Sequence, residues 1–246
     1  MKDLFSTQAE LYAKYRPAYP AALYDFIFAS IDRKDSALDC ATGNGQVARA
    51  LAAHFRNVFA IDISANQLSH AVRLDNIQYS VGRGEQTPFC DNSFDLITVA
   101  QAYHWFDGLQ FCQEAQRMAR PRGIVAIWGY DLANSDSPVD SLVHHWNYDI
   151  LAPYWEPERK HVYTHYGDLP FEFDRIPAPE FEIVVEWDCE QLIGHLKTWS
   201  ALQRMKRQTG EDAFTDIVEQ IRKAWGNEAR KRFVFPVFLY LGRVRK

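Results

Sequence analysis

ALDCATGNGQVARALAAHF, residues 37–55, decides the fold. A short apolar run, 37–41, carries one acid, Asp39, and meets two glycines spaced two apart, Gly43 and Gly45. A helical pattern, 46–55, begins at once. Glycines at a strand end let a ligand approach the backbone, because no Cβ stands in the way. The helix that follows presents free N–H groups and a partial positive charge.

Two ligands fit that spacing. Gly43-Asn44-Gly45-Gln46-Val47-Ala48 matches G-x-G-x-x-G/A, the dinucleotide fingerprint, which by itself is a weak signal. Asp62, 19 residues beyond Gly43 at the end of the second strand pattern, suits the two hydroxyls of an adenosine ribose. The other ligand is S-adenosylmethionine (SAM), which has the ribose but no phosphate and carries an ammonium and a sulfonium. Asp39 separates the two. A carboxylate in the strand before the turn repels a pyrophosphate, but it suits an ammonium, held directly or through water. The competing structural role for Asp39 is to cap the loop backbone.

The rest of the chain sets the scale. Its 246 residues, 47% hydrophobic, suffice for one large domain or a domain plus a lid. Lys and Arg total 27 against 32 Asp and Glu, a balance without an electrostatic footprint for nucleic acid or an anionic membrane. The longest apolar run, 233–242, is broken by Pro236 and is too short for a membrane-spanning helix. Cys40, Cys90, Cys112 and Cys189 form no C-x-x-C, and Cys40 and Cys112 fall in strand and helix patterns as buried thiols. With no apolar leader at the N-terminus, the setting expected is cytoplasmic and reducing.

The first 36 residues have a helical pattern. Strand-like runs at 37–41, 58–63, 77–81, 96–102 and 124–130 then alternate with helical patterns at 46–55, 65–72 and 109–119. Continuously apolar strands alternating with helices predict a parallel sheet covered on both faces. The alternation stops near Tyr130. Residues 132–180 hold six prolines and many aromatics, too many for a flexible linker, and predict an ordered insertion or lid. A strand at 181–187, helices at 191–207 and 214–225 and a β-rich run at 233–244 complete the chain.

The motifs LDCATGNGQVARALA, VFAIDIS, GEQTPFCDNSFDLITVAQAYHWFD and RMARPRGIVAIWGY occur in the order and spacing of class I SAM-dependent methyltransferases. The chain most resembles the trans-aconitate methyltransferase-like subgroup, strongly over residues 5–130 and weakly at HLKTWSALQRM; RPAYP at 16–20 fits the same subgroup. The resemblance implies an α/β fold: a Rossmann-like, doubly wound, seven-stranded, mostly parallel sheet with helices on both faces, its last two strands an antiparallel edge. Residues 1–246 would form one domain, with 132–180 and the helices near 190–225 as acceptor pocket and lid. Carried over by position, Asp39, Ala41, Gly43 and Gly45 match the glycine-rich motif, Asp62 the ribose acid and Ile63 the adenine neighbour. Arg83, Gly84 and Glu85 match the adenine-edge segment, and Ala100 and Gln101 the region near the methionine portion. Tyr12, Tyr15 and Arg16 match an N-terminal cover over SAM. Ala41 departs from the usual glycine by one methyl, and Arg83 stands where an acid often meets the adenine.

Tyr103, His104 and Trp105 follow the fourth strand, where ligands lie in open α/β sheets, and are expected on the acceptor side. Phe106 is expected in the core. His104 is the candidate base, needed for an amine or hydroxyl acceptor but not for a carboxylate. His144, His145, His161 and His165 lack the ligand spacing of a metal site. The resemblance implies methyl transfer from SAM to a small molecule, a carboxylic acid being one candidate acceptor. A nucleotide-dependent oxidoreductase and a SAM-binding protein without transferase activity are the other readings.

Overall fold

The computed structural model describes residues 15–210 and 214–246. Tyr12 lies outside them. After helix α1 (Ala21–Ala29) come β1 (Ser36–Cys40), α2 (Gln46–Ala52), β2 (Asn57–Asp62), α3 (Ala65–Ser69), β3 (Ile77–Val81) and β4 (Phe94–Ala100). A turn at Tyr103–Trp105 leads to α4 (Gly108–Met118), which runs directly into β5 (Ala119–Tyr130). The remainder comprises α5 (Pro138–His145), α6 (Lys160–Tyr163), β6 (Asp174–Ile176), β7 (Phe181–Trp187), α7 (Cys189–Lys197), α8 (Ser200–Thr209), α9 (Phe214–Trp225) and β8 (Lys231–Arg243).

The sheet follows from side-chain alternation. Along β5, Ile124, Ala126 and Trp128 join the core on one face, and Val125 and Ile127 the core on the other. Helices α1 and α2, with α5 and α7–α9, cover the first face; α4 covers the second. The strand order is β3-β2-β1-β4-β5-β8, with both β6 and β7 on the far edge of β8. Pairing is parallel among β1 to β5 and antiparallel around β8.

Among the described residues the sheet has eight strands, where the sequence pattern predicts seven. The extra one, β6, is three largely exposed residues without an apolar signature. It forms because β8 is 13 residues long: β7 covers positions 231–237 of its outer edge and leaves 241–243 for β6. The helix expected at 191–207 is two, broken between Lys197 and Ser200. The aromatic segment 132–180 is ordered: α5, a π-helical turn at Trp146–Ile150, single 3-10 turns, α6 and β6. Ser137 and Asp140 form a capping box that starts α5.

At the carboxyl end of β1 the chain needs unusual backbone. Ala41 (φ 55°), Gly43 (φ 58°) and Gly45 (φ 82°) all lie in the left-handed region. A Cβ on Gly45 would collide with the Tyr79 hydroxyl, whereas a Cβ on Gly43 would meet only Gln67 Oε1, 4.0 Å away. Ala41 occupies this region with a methyl group, at a cost of about 1–2 kcal/mol. Ala41→Gly should therefore raise stability by about 0.5–1 kcal/mol once the greater freedom of unfolded glycine is subtracted. For a chain of this size that is about 1–4 °C in Tm. Thermal denaturation checks it, and a lower Tm would show the methyl to be a packing asset instead.

Candidate active site

The carboxyl ends of β1, β2 and β4 meet beneath one cleft of about 820 Å³, including its mouth. Asp39 comes from β1, Ala41 to Asn44 from the glycine loop, Asp62 from the end of β2, Ile63 and Ser64 from the following turn, and Ala100 and Gln101 from the end of β4. Tyr19, Gln67 and Trp105 close the sides. The loop is tied down by Asp62. Its Oδ2 accepts from Gly43 N at 2.8 Å and its Oδ1 from Ser64 N at 2.9 Å. One carboxylate thus joins the turns after β1 and β2, and Asp62 also lines the cleft.

Asp39 is 1% exposed. It accepts from Thr42 Oγ1 at 2.5 Å and from Thr98 Oγ1 at 2.8 Å. Burial, with a smaller push from Asp62, raises its pKa to about 6, against the pull of those hydrogen bonds. Among the described residues the cleft lining contains two carboxylates and no Lys or Arg. That donor set fits a ligand bearing an ammonium, a sulfonium and a ribose, and opposes a pyrophosphate.

A second cleft of about 460 Å³ adjoins the first and shares Gln101 and Trp105 with it. Its other lining residues are Arg16, His104, Trp155, Glu156, Arg159 and Ser200. Arg16 Nη1 donates to Tyr130 Oη at 2.6 Å. Arg159 stacks on Trp155, with its guanidinium carbon 3.9 Å from the ring centroid, and makes no ion pair among the described residues. Glu156 is paired with Arg204 at 2.9 Å. His104 is 7% exposed, and its Nδ1 lies 3.0 Å from the Tyr166 hydroxyl. Burial foremost, then Arg159 and His161, lowers its pKa to about 3, so the imidazole is neutral at any physiological pH.

The expected site residues divide accordingly. Asp39, Ala41, Gly43, Asp62, Ile63, Ala100, Gln101 and Trp105 are brought together at the first cleft, Arg16 and His104 at the second. Gln101 is a wall: its amide receives Tyr130 N at 2.7 Å and donates to Tyr130 O at 3.2 Å. Five of the expected residues are absent from the lining of both clefts. Tyr103 is 1% exposed and packs on Phe106, Phe111 and Tyr166, its hydroxyl donating to Pro170 O. A 3-10 turn sends three successive side chains in three directions, and that of Tyr103 enters the core. Gly84 packs against Phe106 and Cys40, and Glu85 reaches Asp107 N at 3.4 Å; neither lines the cleft. Gly45 serves the turn and the Tyr79 contact. Tyr15 lies on Gly194, and its carbonyl accepts from His195 Nδ1 at 3.3 Å, away from both clefts. Phe106 is in the core, as its sequence position suggests.

Tyr19, Thr42 and Gln67 line the first cleft and are not among the expected residues. Thr42 sits inside the glycine motif, and Tyr19 inside RPAYP, so both lay within marked stretches. Arg159, Trp155 and Tyr166 fall in the proline-rich segment, where no periodicity assigns a face. Among the described residues no group of three or more His, Cys, Asp or Glu could hold a metal, the four cysteines are unpaired, and no helix is long and apolar enough to cross a membrane.

Known proteins are similar to this chain in sequence and fold. The pattern defining a methyltransferase domain family matches residues 38–127. A protein of Dictyostelium discoideum described as a methyltransferase is 31% identical over 98% of this chain and 95% of its own. A solved structure described as a type II methyltransferase, from Anaeromyxobacter dehalogenans, is 37% identical, with a TM-score of 0.85 over 94% of this chain and 98% of its own. A Saccharomyces cerevisiae protein named as S-adenosylmethionine-dependent is 28% identical over 63% of this chain and 58% of its own. With this fold, the paired carboxylates and these relatives, the chain belongs to the class I SAM-dependent methyltransferases.

Proposed function

We propose that the enzyme methylates a small carboxylic acid held in the second cleft. The observation that carries this reading is the pairing of an acidic cleft with an adjoining one that holds two guanidinium groups, Arg16 and Arg159, and a neutral imidazole. SAM, when bound, supplies an electrophilic methyl on a good leaving group. The chain has to hold the acceptor in line and exclude water. A carboxylate arrives ionised and needs no base. An amine or alcohol acceptor would need one, and His104, with its pKa near 3, is a poor proton acceptor at neutral pH. Its titration therefore lies far below the physiological range.

In this reading Asp62 takes the ribose hydroxyls and Asp39 faces the ammonium, while Trp105, which lines both clefts, lies beside the transferred group. An aromatic face there favours a cation and keeps water out. The aromatic segment 132–180 and the helices α7 to α9 belong to the acceptor side of one methyltransferase domain, with Trp155, Glu156, Arg159 and Ser200 as its contacts.

Incubation with SAM and matched small acids, amides and alcohols tests the acceptor class. Base-labile methyl esters should form from the acids alone. Arg159→Met, which keeps a long stem on Trp155 but loses the charge, should raise the KM for the active acid about tenfold or more, the size of a lost hydrogen bond to a charged group. Its SAM affinity should stay within a few-fold. Methyl transfer confined to amines or alcohols would overturn the reading.

Gly43→Ala tests the cradle. Substituting Asp62 would also release the Gly43 N–H, so Gly43 gives the cleaner result. The new methyl costs about 1 kcal/mol of stability at this φ and projects into open cleft. SAM affinity by calorimetry should fall about tenfold or more while the protein stays folded, a loss worth about 1.4 kcal/mol per decade. Unchanged affinity would place SAM away from this loop.

Asp39 gives SAM binding a pH dependence. Its folded pKa, about 6, exceeds the ordinary 3.8, so without a cation the ionised group destabilises the fold above pH 6, and that penalty vanishes below about 4. An ammonium needs the ionised form. SAM affinity should therefore fall as pH drops through 6, about tenfold between pH 7.5 and pH 5. Asp39→Asn should flatten the profile and weaken binding at pH 7.5. A wild-type profile flat across this range would separate Asp39 from the ammonium.

A further inference from the structure

The segment KHVYTHYG, 160–167, ends α6 with a turn that ordinary residues avoid. His165 (φ 51°) and Tyr166 (φ 62°) are consecutive, both left-handed, and neither is glycine. Such a pair persists only where its surroundings over-determine it. Here Tyr166 N donates to His161 O at 2.7 Å and Gly167 N to Thr164 O at 2.9 Å. His165 Nε2 is 2.7 Å from Asp131 Oδ2, and its ring stacks on Phe238 at 4.8 Å and 15°. Asp131 directly follows Tyr130, the residue that Arg16 and Gln101 grip. The turn is thereby anchored to the end of β5, at the wall of the acceptor cleft.

Its product is the placement of one hydroxyl. Tyr166 is 1% exposed, edge-on to Phe238 and Tyr103, and its Oη sits 3.0 Å from His104 Nδ1. The Trp105 ring supports the imidazole at 4.7 Å. A phenol O–H is a good donor and its oxygen a poor acceptor, whereas the bare nitrogen of a neutral imidazole is a good acceptor. The hydrogen bond therefore runs from Tyr166 to Nδ1. In a neutral ring, the bond made by one nitrogen fixes the proton on the other.

We propose that Tyr166 is a positioning residue that locks His104 in the Nε2–H form, so that His104 serves the acceptor as a hydrogen-bond donor. The proposal rests on reading the second cleft as the acceptor site. With Nδ1 satisfied, Nε2–H is the ring group offered to the cleft that Arg16 and Arg159 also line. Three donor side chains then converge on one small space, a set suited to a carboxylate. The same lock withholds the lone pair that an amine or hydroxyl acceptor would need.

Nitrogen-15 spectra of histidine-labelled protein show the tautomer directly. His104 should show an unprotonated Nδ1 and a protonated Nε2, and Tyr166→Phe should replace this with a mixture of forms. Acetate is the carboxylate probe: its addition should move the Nε2–H proton downfield in the wild type. Tyr166→Phe should weaken acetate binding at least about threefold, the effect of losing one fixed donor. In a His104→Phe background, which keeps a ring in the slot, Tyr166→Phe should cost nothing more. An Nδ1–H tautomer in the wild type would overturn the proposal, as would an equal loss of affinity in both backgrounds, because that loss would not pass through His104. The expected tautomer without any acetate binding would support the lock and overturn only the carboxylate reading.

Discussion

The site depends on keeping one carboxylate, that of Asp39, out of water at the end of the central strand. Two threonine hydroxyls hold it, yet burial still raises its pKa to about 6. At neutral pH the ionised group costs on the order of 3 kcal/mol. A cation seated nearby offsets that cost, so the fold carries a standing preference for a positively charged ligand. Asp62 adds the second negative charge and, by accepting from Gly43 and Ser64, sets the shape of the loop around it. Fold and electrostatics are coupled here: the group that would hold the ribose also ties β1 to β2.

The second cleft has the opposite sign. Arg16 and Arg159 line it, and Glu156, its acid, is already paired with Arg204. The two clefts meet at Gln101 and Trp105. Transfer of a methyl from a sulfonium to a carboxylate converts two opposite charges into two neutral groups. A reaction of that kind is slowed by water, which stabilises the charged reactants more than the transition state, and gains from a dry site with fixed dipoles. Stacking Arg159 on Trp155 holds a cation at the rim without hydrating the floor.

Much of the first cleft was legible in the sequence because its signals are local. Asp39, Gly43 and Asp62 stand at fixed positions relative to strand ends, and apolar runs alternating with helices mark those ends. The second cleft was not, for physical reasons. Arg159 and Tyr166 lie between prolines in single turns, where neither the 3.6 nor the 2.0 period assigns a direction. Tyr103 misled because adjacency to His104 says nothing about direction in a 3-10 turn. Gly84 misled in another way: a glycine in a cofactor motif can serve helix-to-strand packing, here against Phe106 and Cys40. Strand β6 has no apolar pattern at all and forms only because the outer edge of β8 has room.

Backbone strain links the two halves. Of the non-glycine residues with positive φ, Ala41 and Gln101 line the cofactor cleft, and His165 and Tyr166 form the turn behind His104. Each costs about 1–2 kcal/mol, which a chain selected for stability alone would avoid. Gln101 and the 165–166 turn are also held by several contacts. Gln101 clasps both backbone groups of Tyr130, and His165 is fixed by Asp131 and Phe238. Those anchors converge on the end of β5, at Tyr130 and Asp131. A shift there would move Gln101, Arg16 and the Tyr166 turn together, and with them the wall between the two clefts. In-line transfer tolerates little misplacement of the reacting groups. Tying Gln101 and the 165–166 turn to one strand end keeps both clefts in a common frame.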